Sequence, residues 1–127
     1  MSRELKIQQV YLHFKYNGSG PKKNFMYRTM CIAESVKNTE ENKINSYFLA
    51  NIMLEEPRIK VELRQKKDGK IIILLDAKEK ERYVIYRALY DEKVWARKEK
   101  IFLSLVDKKK YPKSKQLYRF EECEEEL

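Results

Sequence analysis

Ile71-Ile72-Ile73-Leu74-Leu75 is apolar at every position. A run this short and this continuous fits a central strand covered on both faces, so the sheet it belongs to needs matter on either side. The residues before it agree. Ile59, Val61 and Leu63 alternate with Arg58, Lys60, Glu62 and Arg64, and Lys67-Asp68-Gly69-Lys70 supplies an Asp-Gly hairpin signal. Residues 58–64 and 71–75 therefore read as two strands joined by a tight turn.

Upstream, Val10, Leu12, Phe14 and Tyr16 alternate with Tyr11, His13 and Lys15, while Leu5 and Ile7 have the opposite parity. The pattern slips at Gln8-Gln9, which marks a bulge or the true strand start. Asn17-Gly18-Ser19-Gly20-Pro21 is a turn by composition, and Phe25 to Ala33 reads as the second arm of a hairpin. Asn38 with Glu41 three residues on makes a capping box. Ile44, Tyr47, Phe48 and Ile52 then follow helical spacing until Pro57, so a helix is expected over 39–55. Tyr83 to Tyr90 is rich in β-branched and aromatic residues and favours a strand at 82–90. Val94, Trp95, Ile101, Phe102, Leu105 and Val106 share one side of a helical wheel, which predicts a second helix over 92–106. The order ββ-α-βββ-α, with local hairpins, predicts an α+β fold: one antiparallel sheet with both helices on one face.

At 127 residues the chain fits one domain, able to bury roughly two-thirds of its unfolded surface. The domain is expected over residues 1–120, with 121–127 as an acidic tail that is mobile when free. No apolar run approaches the ~20 residues that span a bilayer, and Met1 to Lys6 lacks the apolar core of a secretion signal, so a soluble cytoplasmic protein is expected. Cys31 and Cys123 are expected as free thiols. A single histidine, His13, leaves no Cys/His zinc set within one chain. Dense Lys and Glu with few Gln, Met and Cys matches heat-adapted composition, of the kind found in thermophilic prokaryotes and their viruses.

Charge points to a function class. Of the chain's 20 acids, Glu121, Glu122, Glu124, Glu125 and Glu126 crowd the last seven residues. Residues 1–120 are left with 28 bases against 15 acids, +13, where the whole chain is +8. Directly before the tail, Lys108-Lys109-Lys110-Tyr111-Pro112-Lys113-Ser114-Lys115 holds five lysines in eight residues and no acid. A basic body attracts polyanions, and a tethered acidic segment competes for the same surface.

The candidate nucleic-acid contacts follow. Lys108, Lys109, Lys110, Lys113 and Lys115 are phosphate contacts that act by counterion release, whatever the base sequence. Arg58, Lys60 and Arg64 line one face of a strand, with Lys66 and Lys67 at its turn. Their ~7 Å spacing is near that of successive phosphates, although Glu62 interrupts the row. Tyr11, on a stripe with His13 and Lys15, and Tyr111 within the lysine run are candidates to stack on bases. The element order α-βββ-α over 39–106 is similar to that of the double-stranded-RNA-binding domain. That family's lysine cluster would fall at Lys93, Arg97, Lys98 and Lys100, here interleaved with Val94, Trp95 and Glu99, and its glycine-rich middle loop is missing. No phosphate loop, nucleophile–histidine pair or metal set stands out, so neither catalysis nor a cofactor is expected. The expected partner is nucleic acid, DNA or RNA, held mainly through its phosphate backbone, with the acidic tail modulating access. The rival is a protein–protein adaptor or inhibitor, open to homodimerisation. No small-molecule substrate and no membrane contact are indicated.

Overall fold

The computed structural model describes residues 3–55, 57–77 and 79–124. Eight strands dominate it: β1 (Val10–His13), β2 (Met26–Val36), β3 (Ser46–Leu54), β4 (Lys60–Lys66), β5 (Ile71–Leu74), β6 (Arg82–Ala88), β7 (Val94–Lys98) and β8 (Phe120–Glu122). Two short helices, α1 (Glu40–Ile44) and α2 (Glu99–Phe102), and a 3-10 turn at Lys22–Phe25 complete the described elements.

Strands β2 to β7 form a closed ring, β2–β6–β7–β3–β4–β5, that returns to β2. Four contacts are antiparallel. The two that close the ring, β2–β5 through Glu34↔Ile72 and β3–β7 through Met53↔Trp95, are parallel. The long β2 makes closure possible. Along one edge it pairs with β6, and on the other it holds β1 near Met26–Arg28 and β5 near Glu34–Val36. Strand β8 continues outward from β1. The fold is thus a six-stranded β-barrel with a two-stranded annex, not an α+β sheet with two helices on one face.

Side-chain alternation divides the core in two. Ala33, Ile52, Leu54, Ile73, Tyr83, Ile85 and Ala96 fill the barrel. Val84 and Tyr86, on the other face of β6, pack outside it against Tyr11, Phe102 and Phe120. Strand β6 is apolar at successive positions because it separates these two cores. The outer one is aromatic, with Phe102 and Phe120 stacked at 4.1 Å between centroids and 7° between planes. Such a pair adds about 0.5–1.5 kcal/mol beyond the area it buries. The 71–75 run is covered on both faces, since Ile72, Ile73 and Leu74 are all buried.

The helix expected at 39–55 is one turn of helix followed by a strand. Thr39, not Asn38, is the cap, its hydroxyl accepting from Asn42 N at 3.2 Å. The turn ends at Asn45, and from there Ile52 and Leu54 enter the barrel two positions apart while Tyr47 and Phe48 stay exposed. A bulge between Phe48 and Ala50 shifts the register, so strand residues imitated helical spacing. The helix expected at 92–106 fails in the same way. Ala96 is sealed in the barrel between outward Trp95 and Arg97, and only Glu99–Phe102 coils. With both segments extended, the α-βββ-α likeness to the double-stranded-RNA-binding domain disappears.

The acidic end is not a free tail throughout. Glu121 and Glu122 lie in β8, where Leu12↔Glu121 and Tyr11↔Glu122 pair with β1, and Cys123 N donates to Val10 O at 3.0 Å. Glu125, Glu126 and Leu127 lie outside the described residues. Neither Cys31 nor Cys123 takes part in a disulfide among the described residues. Gln8, where the sequence parity slips, adopts φ +60°, and its N–H bonds Thr29 O at 2.8 Å just before β1 starts.

Candidate nucleic-acid interface

The lysine run is a folded loop with pinned ends. A bridge joins Leu105 to Tyr118, Val106 N donates to Leu117 O at 2.9 Å, and Arg119 N donates to Ser104 O at 3.0 Å. Inside the loop, Asp107 Oδ1 accepts from Lys109 N at 3.0 Å, and Tyr111 N donates to Asp107 O at 2.8 Å. Gln116 Nε2 ties the far side to Leu12 O at 3.0 Å. Glu121 Oε2 accepts from the backbone N–H groups of Leu117 and Tyr118 at 2.9 and 3.0 Å, closing the exit.

Beyond β1, the segment Phe14–Asn17 runs alongside this loop. Phe14 N donates to Arg119 O at 2.8 Å, and the buried Phe14 ring meets Tyr111 edge-on at 4.8 Å. Between the two segments lies a cleft of about 600 Å³, lined by Phe14, Lys15, Tyr16 and Asn17 on one side and Lys110, Tyr111, Pro112, Lys113, Ser114 and Lys115 on the other. Four ammonium groups and three aromatic rings thus share one recess whose lining includes no carboxylate. Lys15 Nζ and Lys110 Nζ stand 5.9 and 5.6 Å from the centroid of Tyr111, within cation–π reach. The Ser114 hydroxyl in the same lining is buried and has no hydrogen-bond partner among the described residues. An unmatched buried hydroxyl costs about 1–3 kcal/mol, which a ligand acceptor or a water would recover.

The structure separates the candidate residues. Lys110, Tyr111, Lys113 and Lys115 converge on the cleft. Lys108 does not, since its ammonium donates to Ser114 O at 2.6 Å and Gln116 O at 2.8 Å and holds the loop shut. Lys109 is exposed but is not among the lining residues. Tyr11 is 1% exposed, packed edge-on to Phe102 at 5.2 Å, with its hydroxyl accepting from Lys6 N. A ring so placed cannot stack on a base, and this corrects the exposed-stripe reading.

The β4 row is no phosphate track either. The Arg64 side chain is 11% exposed and fully employed, with Nε on Ser46 Oγ at 2.7 Å, one Nη on Glu62 at 2.9 Å and the other on the carbonyls of Lys43 and Ser46. It caps the C-terminal end of α1, where a cation suits the helix dipole. Arg58 lies over Trp95 at 5.4 Å. Lys60 borders a small groove between β3 and β7, and Lys66 and Lys67 sit at the β4–β5 turn. Strand β4 is not paired with β1, and none of these residues lines the cleft.

Phe14 and Tyr16 are the cleft residues that the sequence did not single out. Their signal was their place, two aromatics flanking Lys15 directly before the Asn17-Gly18 turn, where a strand leaves its sheet. Behind the cleft, His13 packs between Phe14 and Phe120 at 4.7 and 5.0 Å, and its Nδ1 accepts from Lys15 N at 3.2 Å. Burial first, then the positive charge of Arg97, pushes the imidazole down to about 4. Arg97 is itself bound to Glu55 at 2.8 Å, and Glu55 accepts from the buried Tyr86 hydroxyl at 2.7 Å. This network links β3, β6 and β7 outside the barrel.

Residues 70–122 match a family described as a protein of unknown function (DUF1653), which is less than half of the 127-residue chain. The matched stretch covers β5 to β8 and includes the lysine loop. No curated protein and no solved structure matches the chain.

Proposed function

We propose that this protein binds single-stranded nucleic acid in the cleft between Phe14–Asn17 and Lys110–Lys115. One observation supports the reading above others: Lys15, Lys110, Lys113 and Lys115 surround the rings of Phe14, Tyr16 and Tyr111 in a recess lined by no acid. Phosphates are held by ammonium groups regardless of sequence, and an unpaired base has a free face for a ring. A duplex offers its phosphates but keeps its bases stacked, and it has little use for recessed rings. The acidic segment enters this reading through Glu121, which fixes the loop that presents the lysines.

Fluorescence anisotropy with a labelled oligonucleotide of about twelve nucleotides, as RNA, as DNA and as duplex, tests this. Four phosphate contacts give a log K against log salt slope of about −3 for single strands, at ~0.7 per contact. Lys110→Gln, Lys113→Gln and Lys115→Gln together reduce the slope to about −0.7, the share of Lys15. Tyr111→Leu keeps the apolar contact with Phe14, loses the stacking face and weakens single-strand binding about tenfold, within the ~1–3 kcal/mol of a stacked base. No binding at micromolar protein in ~50 mM salt refutes the proposal, and so does affinity that the triple substitution leaves unchanged.

A further inference from the structure

Ile44 to Leu54 is eleven consecutive residues without a charge, in a chain that is 38% charged. Most of the segment is β3, and on the side away from β4 this strand pairs with β7 only at Met53 and Leu54. From Ser46 to Ile52 that edge is unpaired among the described residues. Pairing parity decides which peptide groups face outward. Leu54 N donates to Ile59 O across the β3–β4 pair, and Lys66 N donates to Lys70 O, away from β3. Counting back through the bulge turns the backbone of Ser46, Phe48 and Asn51 away from β4; Ser46 is buried with its carbonyl on Arg64, which leaves the groups of Phe48 and Asn51 open. Beside these open groups, Ile44, Tyr47, Phe48 and Leu49 are 74%, 62%, 52% and 45% exposed.

Soluble proteins normally protect such an edge with lysine, proline or a covering element. Here the strand itself carries no lysine, and Lys60 and Lys93 stand only at its β7 end, in the groove beside Asn51–Met53. We infer that β3 is the interface of a homodimer, in which the edges of residues 47–51 of two copies pair antiparallel about a two-fold axis. A second copy is the occupant that best fits the chemistry. The strand is uncharged, so it offers no ion-pair partner to an acidic or basic peptide, while its own copy brings the same apolar side chains and the same open backbone groups. The four exposed side chains supply roughly 400–500 Å² of apolar surface per copy, taking large side chains at ~150–250 Å² each. That is about half of the ~800 Å² per partner of a standard interface, and the paired strands and their flanks supply the rest.

Charge fixes the sign of the salt effect. Two chains of +8 repel each other through everything except this edge, so added salt tightens the dimer while it weakens nucleic-acid binding. Sedimentation equilibrium of the full chain from about 5 to 500 μM, at ~100 and ~500 mM salt, reads both effects. The expected result is a monomer–dimer equilibrium that is tighter at high salt. Phe48→Lys with Leu49→Lys should weaken it at least a hundredfold. Phe48→Pro should do the same by removing one outward N–H without breaking a β4 bond, with circular dichroism confirming that both variants fold. A monomer throughout the range overturns the inference. So does a dimer that survives both variants, or one that salt dissociates. The cleft lysines take no part in this test, so its failure leaves the nucleic-acid reading untouched.

Discussion

His13 is predicted to be the chain's main acid-sensitive element, through neutrality and not charge. Its Nδ1 accepts the Lys15 N–H at 3.2 Å, which requires that nitrogen to be unprotonated. Phe14, Phe120 and Tyr27 pack around the ring. Burial is the largest cause of the fall from 6.5 to about 4. Arg97, Lys15 and Arg119 also oppose a positive imidazole, and Glu55 pulls the other way. Because the folded value is depressed, the unfolded chain takes up the proton first as pH drops. The stability His13 contributes as a neutral ring is complete above about pH 6.5 and is lost between there and about pH 4. Between pH 7.5 and 5 the difference amounts to about 2 kcal/mol, at ~1.4 kcal/mol per unit with partial titration at each end. His13→Asn loses packing equally at both pH values but carries no proton to take up. Urea unfolding at pH 7.5 and 5.0 should therefore show the wild type losing about 2 kcal/mol more than the variant across the interval. An equal loss in both proteins would place the acid sensitivity among the carboxylates and refute this account of His13.

Two further substitutions test the network and the loop. Tyr86→Phe deletes only the hydroxyl that donates to Glu55 at 2.7 Å, and should cost about 1.5–2 kcal/mol in urea unfolding with the slope unchanged. Glu121→Ala releases the backbone N–H groups of Leu117 and Tyr118, and should cost about 1–2 kcal/mol while speeding amide exchange at both residues.

Strands were legible wherever alternation and a turn residue coincided. Residues 58–64 and 71–75 gave their strands because Asp68-Gly69 can adopt the left-handed turn, and Gly69 sits at φ +94°. The segment 82–90 was readable as a strand from its β-branched and aromatic content, though only the structure shows that its two faces serve two different cores. The failures lie at 39–55 and 92–106, where a single helical turn abuts a strand. In both, a sound local start signal was extended over residues whose spacing fits either period. At 44–54 the bulge moves Tyr47 and Phe48 into positions a helix would also place together, and periodicity alone cannot choose. Barrel closure was beyond reach for a different reason. It depends on β2 being long enough to pair with β5 past the point where β1 ends, and on a two-residue parallel contact between Met53–Leu54 and Trp95–Ala96. Neither leaves a local mark in the sequence.

The cleft was legible as charge and illegible as shape. Five lysines in eight residues announced a cationic surface, but composition assigns every lysine the same role. The fold does not: Lys108 turns inward to two carbonyls and so becomes the closure of the loop, which is why Lys110, Lys113 and Lys115 can face one recess. Its position in the run gives no hint of this, because the acceptors, Ser114 O and Gln116 O, exist only once Pro112 has turned the chain back. The parity of β1 misled in a similar way. Tyr11 looked exposed because its neighbours Val10 and Leu12 looked buried, yet the annex covers its face and Phe102 occupies the other side of its ring. Buried on that face, Tyr11 anchors the strand from which Phe14 and Tyr16 reach the lysine loop, two and four residues beyond Leu12. The aromatic that the sequence offered as a base-stacking group thus holds the β1 end of the cleft in place. The partly exposed rings of the cleft are Tyr16, beyond the end of β1, and Tyr111 in the loop beside it, while Phe14 is buried between them.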